Sequence, residues 1–567
     1  LGNIVIIGGM AAGCKVASRL SRLLRGHKII VIEKMPFVSM NSCGLLPFVA
    51  GEIDDVSDLM RTSYNVLRDE KYFDSVRNVN VLTKTEACEI DTRKRELVCR
   101  AIDSGDKFRL PYDSLVIATG FQPVKPEFSL RDSTLISSFH YLSDAQKFRE
   151  KVQHGAISKV VIIGGGIKGC SLAEALVTLW GIDVALIERE ENLLPVLLDR
   201  EIAYYIQSSI KSGKLDLILS SSIEKVEDDK RGSLNVCLQN GESILADYVF
   251  CCTGVKPSTD LARGANIQTG VTGGIIVDEK MRTSVEHVWA AGSCVELTNM
   301  VTGQGDYFPS NPLSIRMGRV AADSILGRES SLKGTVRPFS LKLFDKFICG
   351  AGLTERYARK FGLNVGSVVG CWSDGADYYR DSKPIIAKLV YEKPGLRLLG
   401  LQMAGEKDLT RYIDLFSELL SRRRTVECLL QVELASSPGC GASDILLNHL
   451  GTMAINQELD GVKNVSPVDA MSFKGTFIDV REPHERTDHP FSNSCIGIPM
   501  SDLRTRLNDF NSNQEIIFVC GMGSRGYEAA RMFLNHGYKR VSYLGGGILL
   551  YDAVRVENFK RLNRTNG

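Results

Sequence analysis

Two of the fifteen cysteines stand where a thiolate could do chemistry. Cys43 closes the polar run Ser39-Met40-Asn41-Ser42-Cys43 ahead of Gly44, at the opening of a helix, a setting that favours the ionised thiol over a merely packed one. A lone thiolate attacks a sulfur or oxygen electrophile, so its partner comes from the substrate: a disulfide leaves a mixed disulfide, a peroxide leaves a sulfenic acid. Cys520 heads the loop Cys520-Gly521-Met522-Gly523-Ser524-Arg525, between the apolar strand Ile516 to Val519 and a helical run from Tyr527 to Asn535. Successive loop N–H groups and the helix N-terminus form a cradle for a thiolate or anion at Cys520. Such a loop serves sulfur transfer or phosphoryl transfer. With four residues between Cys520 and Arg525, it has the shorter spacing that suits a sulfane-sulfur cradle.

The other thirteen cysteines, among them Cys14, Cys170, Cys237, Cys251, Cys252 and Cys349, read as small hydrophobes in apolar segments. Their odd total and irregular spacing argue against a disulfide framework. Without a CxxC motif or a Cys/His cluster, no metal site is expected.

These thiols need elements to position them. An apolar run Ile4 to Ile7, a glycine turn, a helix Ala11 to Leu24 and a second apolar run Ile29 to Ile32 ending at Glu33 make a βαβ unit. A second unit runs from Lys159 to Ile163 through Gly164, Gly166 and Gly169 into a helix ending at Leu179. It then returns along Val184 to Ile187, ending at Glu188. Turn glycines let backbone N–H groups approach a pyrophosphate, and an acid at the end of the second strand can hydrogen-bond a ribose diol. Two nucleotide sites are therefore expected. The first turn reads Gly8-Gly9-Met10-Ala11-Ala12-Gly13, with Met10 at the middle glycine position, so its assignment leans on Glu33. Two more strand ends, Leu115 to Gly120 and Val249 to Gly254, suit a backbone crossing beside a nucleotide.

At 567 residues the chain is about four times a typical domain length, so it must be modular. With 69 basic against 67 acidic residues it has no basic face for nucleic acid. No apolar stretch reaches the roughly 18 residues of a membrane helix, and the apolar start runs into glycines without a basic flank or cleavage site, so a cytoplasmic protein is expected.

The order of GGMAAG, Glu33, Ala118-Thr119-Gly120, GGGIKG, Glu188, CTGVKP and AAGSC (290–294) resembles the flavoprotein pyridine nucleotide disulfide reductases over roughly residues 1 to 450. The resemblance implies an α/β protein with two nucleotide-binding three-layer domains: FAD in 1–148 and 256–328, NADH in 149–255. An α+β dimerisation domain in 329–455 would make a homodimer. It assigns Gly8, Gly9, Ala12, Gly13, Glu33, Lys34, Ala118, Thr119, Gly120, Gly292 and Ser293 to FAD, and Gly164, Gly166, Gly169, Glu188 and Gly254 to NADH. Ser293 replaces the family's usual aspartate, which contacts the flavin's ribityl and phosphate region, and so contributes a hydrogen bond without charge. Glu188 favours NADH by repelling a 2′-phosphate, while Arg189 leaves NADPH open.

Disulfide reductases with two redox cysteines carry CxxxxC after the FAD acid. Here the positions five away from Cys43 are Val38 and Phe48. The pattern is similar to the single-cysteine branch of coenzyme A disulfide reductases, persulfide reductases, NADH oxidases and NADH peroxidases. In that branch Arg19 and Arg22 match positions that contact coenzyme A, and Ser39 and Ser42 join them as substrate-binding expectations. A partner-subunit Y-Y-P segment has its counterpart in Asp377-Tyr378-Tyr379-Arg380. Arginine replaces the proline, which leaves open which tyrosine reaches the sulfur.

After a polar linker near Asn456 to Pro467, the strand Gly475 to Val480, the Asp479-Val480-Arg481-Glu482 start, the Cys520 loop and Leu544 to Gly547 resemble the rhodanese domain of sulfurtransferases. An α/β rhodanese domain is expected over 466–567, with Cys520 and Arg525 catalytic. The whole resembles fusions of a coenzyme A disulfide or persulfide reductase with rhodanese. They reduce coenzyme A disulfide, coenzyme A persulfide or polysulfide with NADH, through one cysteine. The direction of sulfur transfer between Cys520 and Cys43 stays open. Also open are an NADH oxidase or peroxidase using a Cys43 sulfenic acid, and a redox-sensing protein that binds FAD but turns over poorly.

Overall fold

The computed structural model describes residues 2–130, 133–229, 232–376, 378–435, 446–491 and 493–565, with side chains through 560. Runs rich in Ile and Val make the first sheet: Val288–Ala290, Ser114–Ile117, Asn3–Ile7, Lys28–Ile32 and Asn80–Leu82, in that order and all parallel. Ile4 to Ile7 and Ile29 to Ile32 are buried, as strands covered on both faces must be. One cover is the helix Ala11–Leu23, which packs on Asn311–Ile325 so closely that a Cβ at Gly318 would lie 2.6 Å from the Ala12 carbonyl. A three-stranded antiparallel sheet (Thr85–Asp91, Glu96–Ala101, Lys107–Pro111) lies beyond it in sequence, before Ser114–Ile117.

The second unit repeats the plan. Ile136–Ser137, Tyr248–Cys251, Lys159–Ile163, Asp183–Ile187 and Leu215–Ile218 form a parallel sheet, and a four-stranded sheet (Ser243–Ala246, Leu234–Leu238, Ile223–Asp228, Ser129–Leu130) accompanies it. Each unit's second crossing, at Gly120 and Gly254, leads into a short strand. These two strands, Phe121–Pro123 and Val255–Pro257, pair antiparallel and tie the units together.

The remaining chain forms an antiparallel sheet, Phe339–Leu343, Lys346–Gly352, Leu398–Gly405, Pro384–Glu392 and Val365–Ser373, and then a parallel one. The latter runs Lys463–Val465, Val541–Leu544, Ile516–Val519, Thr476–Asp479, Cys495–Gly497. One apolar cluster crosses these boundaries: Phe48 and Val49, Leu176 and Leu186, Val369 and Ile386, and Leu550 share a core.

The expected linker near Asn456 to Pro467 is corrected. Leu446–Leu459 is a helix whose Leu446, Leu447, Leu450 and Ala454 are buried, and Lys463–Val465 is a strand of the last sheet. The polar residues that suggested a linker bridge surfaces instead. Asn456 donates to the Tyr527 hydroxyl at 2.9 Å, and Gln457 donates to Tyr391 Oη at 2.9 Å and accepts from the Asn464 N–H. Among the described residues no helix is long and apolar enough to cross a membrane.

Candidate functional site

The two glycine turns are superposable in their chemistry. Gly8 at φ +106° and Gly164 at φ +112° lie so close to the next crossing that a Cβ would sit 2.2 Å from the Ala118 carbonyl oxygen and 2.5 Å from that of Cys252. Gly13 and Gly169 bring their helices onto the turns, and a Cβ there would fall 1.8 and 1.9 Å from the carbonyl oxygens of Gly8 and Gly164. Glu33 accepts the N–H groups of Gly9 (2.6 Å) and Met35 (2.8 Å). Glu188 likewise accepts those of Gly165 (2.7 Å) and Glu190 (2.9 Å). Burial pushes the Glu33 carboxyl up, against the N–H bonds that pull it down. Even Cys14 and Cys170 match, each thiol donating to the carbonyl of Gly9 or Gly165. Neither helix has a side-chain cap, so the N–H groups of both first turns remain available to phosphate oxygens.

Around the first turn, the Thr119 hydroxyl donates to the Ser258 carbonyl at 2.6 Å, Gly120 and Gly292 have positive φ, and Lys34 is exposed. Ser293 Oγ lies 3.4 Å from Ser314 Oγ, and its carbonyl accepts from the Tyr307 hydroxyl. Gly166 caps the second helix, and Gly254 at φ +113° makes the second crossing.

Cys43 is exposed in a 3-10 turn, Ser42–Gly44, and the Asn41 side chain accepts its backbone N–H at 3.3 Å. Asn41 also lines a cavity of about 490 Å³ between the first helix and the segment from Thr62 to Arg77. Ser39 and Arg22 line it, Ser39 at φ +60° with its N–H on the Gly9 carbonyl. Arg19 is engaged elsewhere, its guanidinium 2.7 Å from buried Asp323, and exposed Ser42 is not part of the wall. Sequence reasoning missed Lys15, Arg68 and Arg77, which make the wall strongly basic, with no carboxylate among the lining residues. Burial and the like charges of Arg22, Arg319 and Arg19 push the Lys15 ammonium down. Arg77 Nε is buried without a partner. One signal was legible: Lys15, Arg19 and Arg22 fall at i, i+4, i+7 on one helix face. Tyr378 and Tyr379 are exposed with ring centroids 5.1 Å apart, and Asp377 lies outside the described residues.

In the last sheet Cys520 is 1% exposed, and its sulfur accepts the N–H groups of Gly523 (3.1 Å) and Gly526 (3.4 Å). The closing glycines press on this loop. A Cβ at Gly547 would lie 2.6 Å from the Cys520 carbonyl oxygen, which Ile548 N–H already occupies. Arg525 makes a two-pronged bond to Glu485 at 2.6 and 2.7 Å and holds that carboxyl down to about 2.

Residues 2–311 match the family model described as pyridine nucleotide-disulphide oxidoreductase, and 465–553 match a rhodanese-like domain. The chain belongs to the pyridine nucleotide-disulphide oxidoreductase family. Like other members it is an enzyme that uses FAD and NAD(P)H, here with a rhodanese-like domain. It is 33% identical to an NAD(P)H sulfur oxidoreductase (CoA-dependent) of Pyrococcus abyssi over 77% of this chain and 94% of that protein. It is 28% identical to an NADH oxidase of Methanocaldococcus jannaschii over 76% and 94%. The solved NAD-dependent persulfide reductase from A. fulgidus superposes with a TM-score of 0.90 at 33% identity, covering 97% of this chain and 100% of that one.

The turns suit the family's cofactors: side-chain-free backbone at Gly8, Gly13, Gly164 and Gly169, uncapped helix starts, and an acid at each second strand end. The cysteine reading needs one correction among the described residues. Most of the remaining cysteines are buried or half-buried, as core packing requires, but Cys88 is exposed because it sits at a bulge between Ala87 and Glu89. Cys440 lies outside the described residues.

Proposed function

We propose that this oxidoreductase uses NADH to reduce coenzyme A persulfide, coenzyme A disulfide or polysulfide at Cys43, while Cys520 carries sulfane sulfur. The observation that carries the reading is the basic cavity. Lys15, Arg22, Arg68 and Arg77 surround a space that suits a ligand with several phosphates, and Asn41 connects its wall to the Cys43 turn. The P. abyssi relative is described as CoA-dependent, which agrees with such a ligand. Bound FAD and NADH supply two electrons. Attack of the Cys43 thiolate on the coenzyme A-bearing sulfur of a persulfide forms a Cys43–coenzyme A mixed disulfide and expels hydrosulfide. Two electrons and one proton then return the Cys43 thiolate and the coenzyme A thiol.

In this reading FAD is held by 1–148 and 256–328, NADH by 149–255, and 329–455 pairs two copies so that Tyr378 or Tyr379 approaches the partner's sulfur. The domain at 466–567 loads or unloads sulfur, with Arg525 beside Cys520. A reducing, cytoplasmic setting suits a protein with exposed free thiols at Cys43 and Cys88. NADH consumption and thiol and sulfide release are to be measured with coenzyme A disulfide, coenzyme A persulfide, polysulfide, oxygen and peroxide. Fast turnover with the sulfur compounds is expected. Fast turnover with oxygen or peroxide and little with the others would instead favour the oxidase reading, which the M. jannaschii relative supports.

A further inference from the structure

The short helix Leu45–Ala50 follows the Cys43 turn directly, and its far end is fastened by the NADH-binding unit. A helix leaves its last four carbonyls without intrahelical partners, and in six residues these are most of its carbonyls; Leu45, Phe48 and Val49 meanwhile pack into the shared apolar core. Gly51 N–H serves the Phe48 carbonyl within the segment. Glu52 and Ile53 N–H serve the Pro47 carbonyl in the same way. The further bonds, to Phe48 and Val49, come from two side chains about a hundred or more positions away. Arg149, on the helix Leu142–Gln153, donates from Nη1 to the carbonyls of Phe48 (3.1 Å), Ile53 and Asp54 (3.4 Å), and its guanidinium lies 4.5 Å from the centre of the Phe48 ring. Trp180 Nε1 donates to the Val49 carbonyl at 2.8 Å, and its ring closes over Gly51.

Trp180 also ends the helix Ile167–Leu179, which begins at the second glycine turn. That helix of 13 residues is a rod of about 20 Å with the nucleotide turn at one end and the anchor of the Cys43 helix at the other. A buried arginine whose side chain is only 10% exposed, facing carbonyls and one fully exposed carboxylate (Asp54, at 3.6 Å), is poorly explained by ion pairing. It is well explained as a clamp.

We propose that Arg149 and Trp180 are positioning residues for Cys43, holding its turn in the orientation the sulfur chemistry needs and tying it to the nucleotide-binding unit. The inference rests on the reading of Cys43 as the redox thiol. Misplacing a reacting group by about 1 Å can slow a step by as much as about a hundredfold, so a loosened clamp acts on turnover before it acts on cofactor binding.

The test labels the intact, FAD-loaded protein with N-ethylmaleimide and follows Cys43 by peptide mass spectrometry, with exposed Cys88 as internal reference. Arg149→Met is expected to change the Cys43/Cys88 labelling ratio about threefold or more as the turn loses its fixed orientation. It should lower kcat for sulfur reduction about tenfold while the KM for NADH stays within about twofold. Arg149→Lys, which keeps a donor, should restore more than half of both effects. Trp180→Phe keeps the packing, removes one hydrogen bond and should move both readouts less in the same direction; it carries the test if Arg149→Met does not fold. Wild-type labelling ratios in the folded Arg149→Met and Trp180→Phe proteins would overturn the inference. Retained sulfur reduction in Cys43→Ser would instead strike the reading of Cys43, whatever Arg149 does.

Discussion

Cys520 keeps its sulfur under the loop, between the N–H groups of Gly523 and Gly526, whereas Cys43 is exposed and only its backbone N–H is held, by Asn41. A sulfur bonded by two backbone N–H groups is suited to carrying a persulfide without losing it to water, and an exposed one to meeting a bulky persulfide or disulfide. The two are therefore separable. Cys43→Ser is expected to remove NADH-linked sulfur reduction and leave sulfur transfer from thiosulfate intact, and Cys520→Ser to remove the transfer. Parallel loss of both activities in Cys43→Ser, measured as NADH oxidation and thiocyanate formation, would contradict the assignment. Arg525 adds a constraint that the loop motif alone does not carry: with Glu485 bound through both prongs, the cradle's cation is already paired with a carboxylate from forty positions upstream.

The same contrast between near and far neighbours runs through the elements. Glycine spacing announces a strand–turn–helix unit because the constraint is local: Gly8 meets Gly13 within one turn, and Gly164 meets Gly169 in the same way. Gly13→Ala puts a methyl against the Gly8 carbonyl and must push the helix Ala11–Leu23 outward. Flavin content by absorbance is expected to fall severalfold while the second unit is untouched. Gly169→Ala should do the reverse, weakening NADH binding severalfold with flavin retained, and equal effects on both cofactors would show that the units are not independent. The Cys520 loop was legible for the same local reason. The basic cavity was not, because Lys15, Arg68 and Arg77 come from separate segments and meet only through the packing of the first helix against 62–77. The stretch from Asn456 reads as a linker in the sequence because Asn456 and Gln457 are polar for the sake of Tyr527 and Tyr391 rather than of water.

Across the whole molecule, Lys388 joins the units. It lies on the strand Pro384–Glu392, is 3% exposed, and its Nζ is 3.0 Å from both oxygens of Glu201, 2.9 Å from Glu355 and 3.6 Å from Asp199. Asp199 and Glu201 begin a helix of the second βαβ unit, and Ser466, at the entrance to the rhodanese-like domain, donates to Glu201. A second tie, Gln207 to Glu557 at 2.9 Å, lies on the same helix. Lys388→Met would leave buried Asp199 and Glu201 without this cation and half-buried Glu355 with Arg359 alone, a loss of about 3–5 kcal/mol for a broken buried pair, to be read by denaturant unfolding. Its pH dependence separates this cause from lost packing. Burial pushes the Glu355 carboxyl up, but Lys388 and Arg359 outweigh it and hold it at about 2, below its ordinary 4.5. The stabilisation from this group is therefore complete above the ordinary value and is lost as pH falls through about 2. In Lys388→Met, Glu355 loses the larger of these two opposing pulls while burial remains, so its carboxyl moves up, protonation relieves it and the deficit should shrink between pH 7 and pH 4.5. A deficit that stays constant over that range would mean that the lysine matters for its packing and not for its charge.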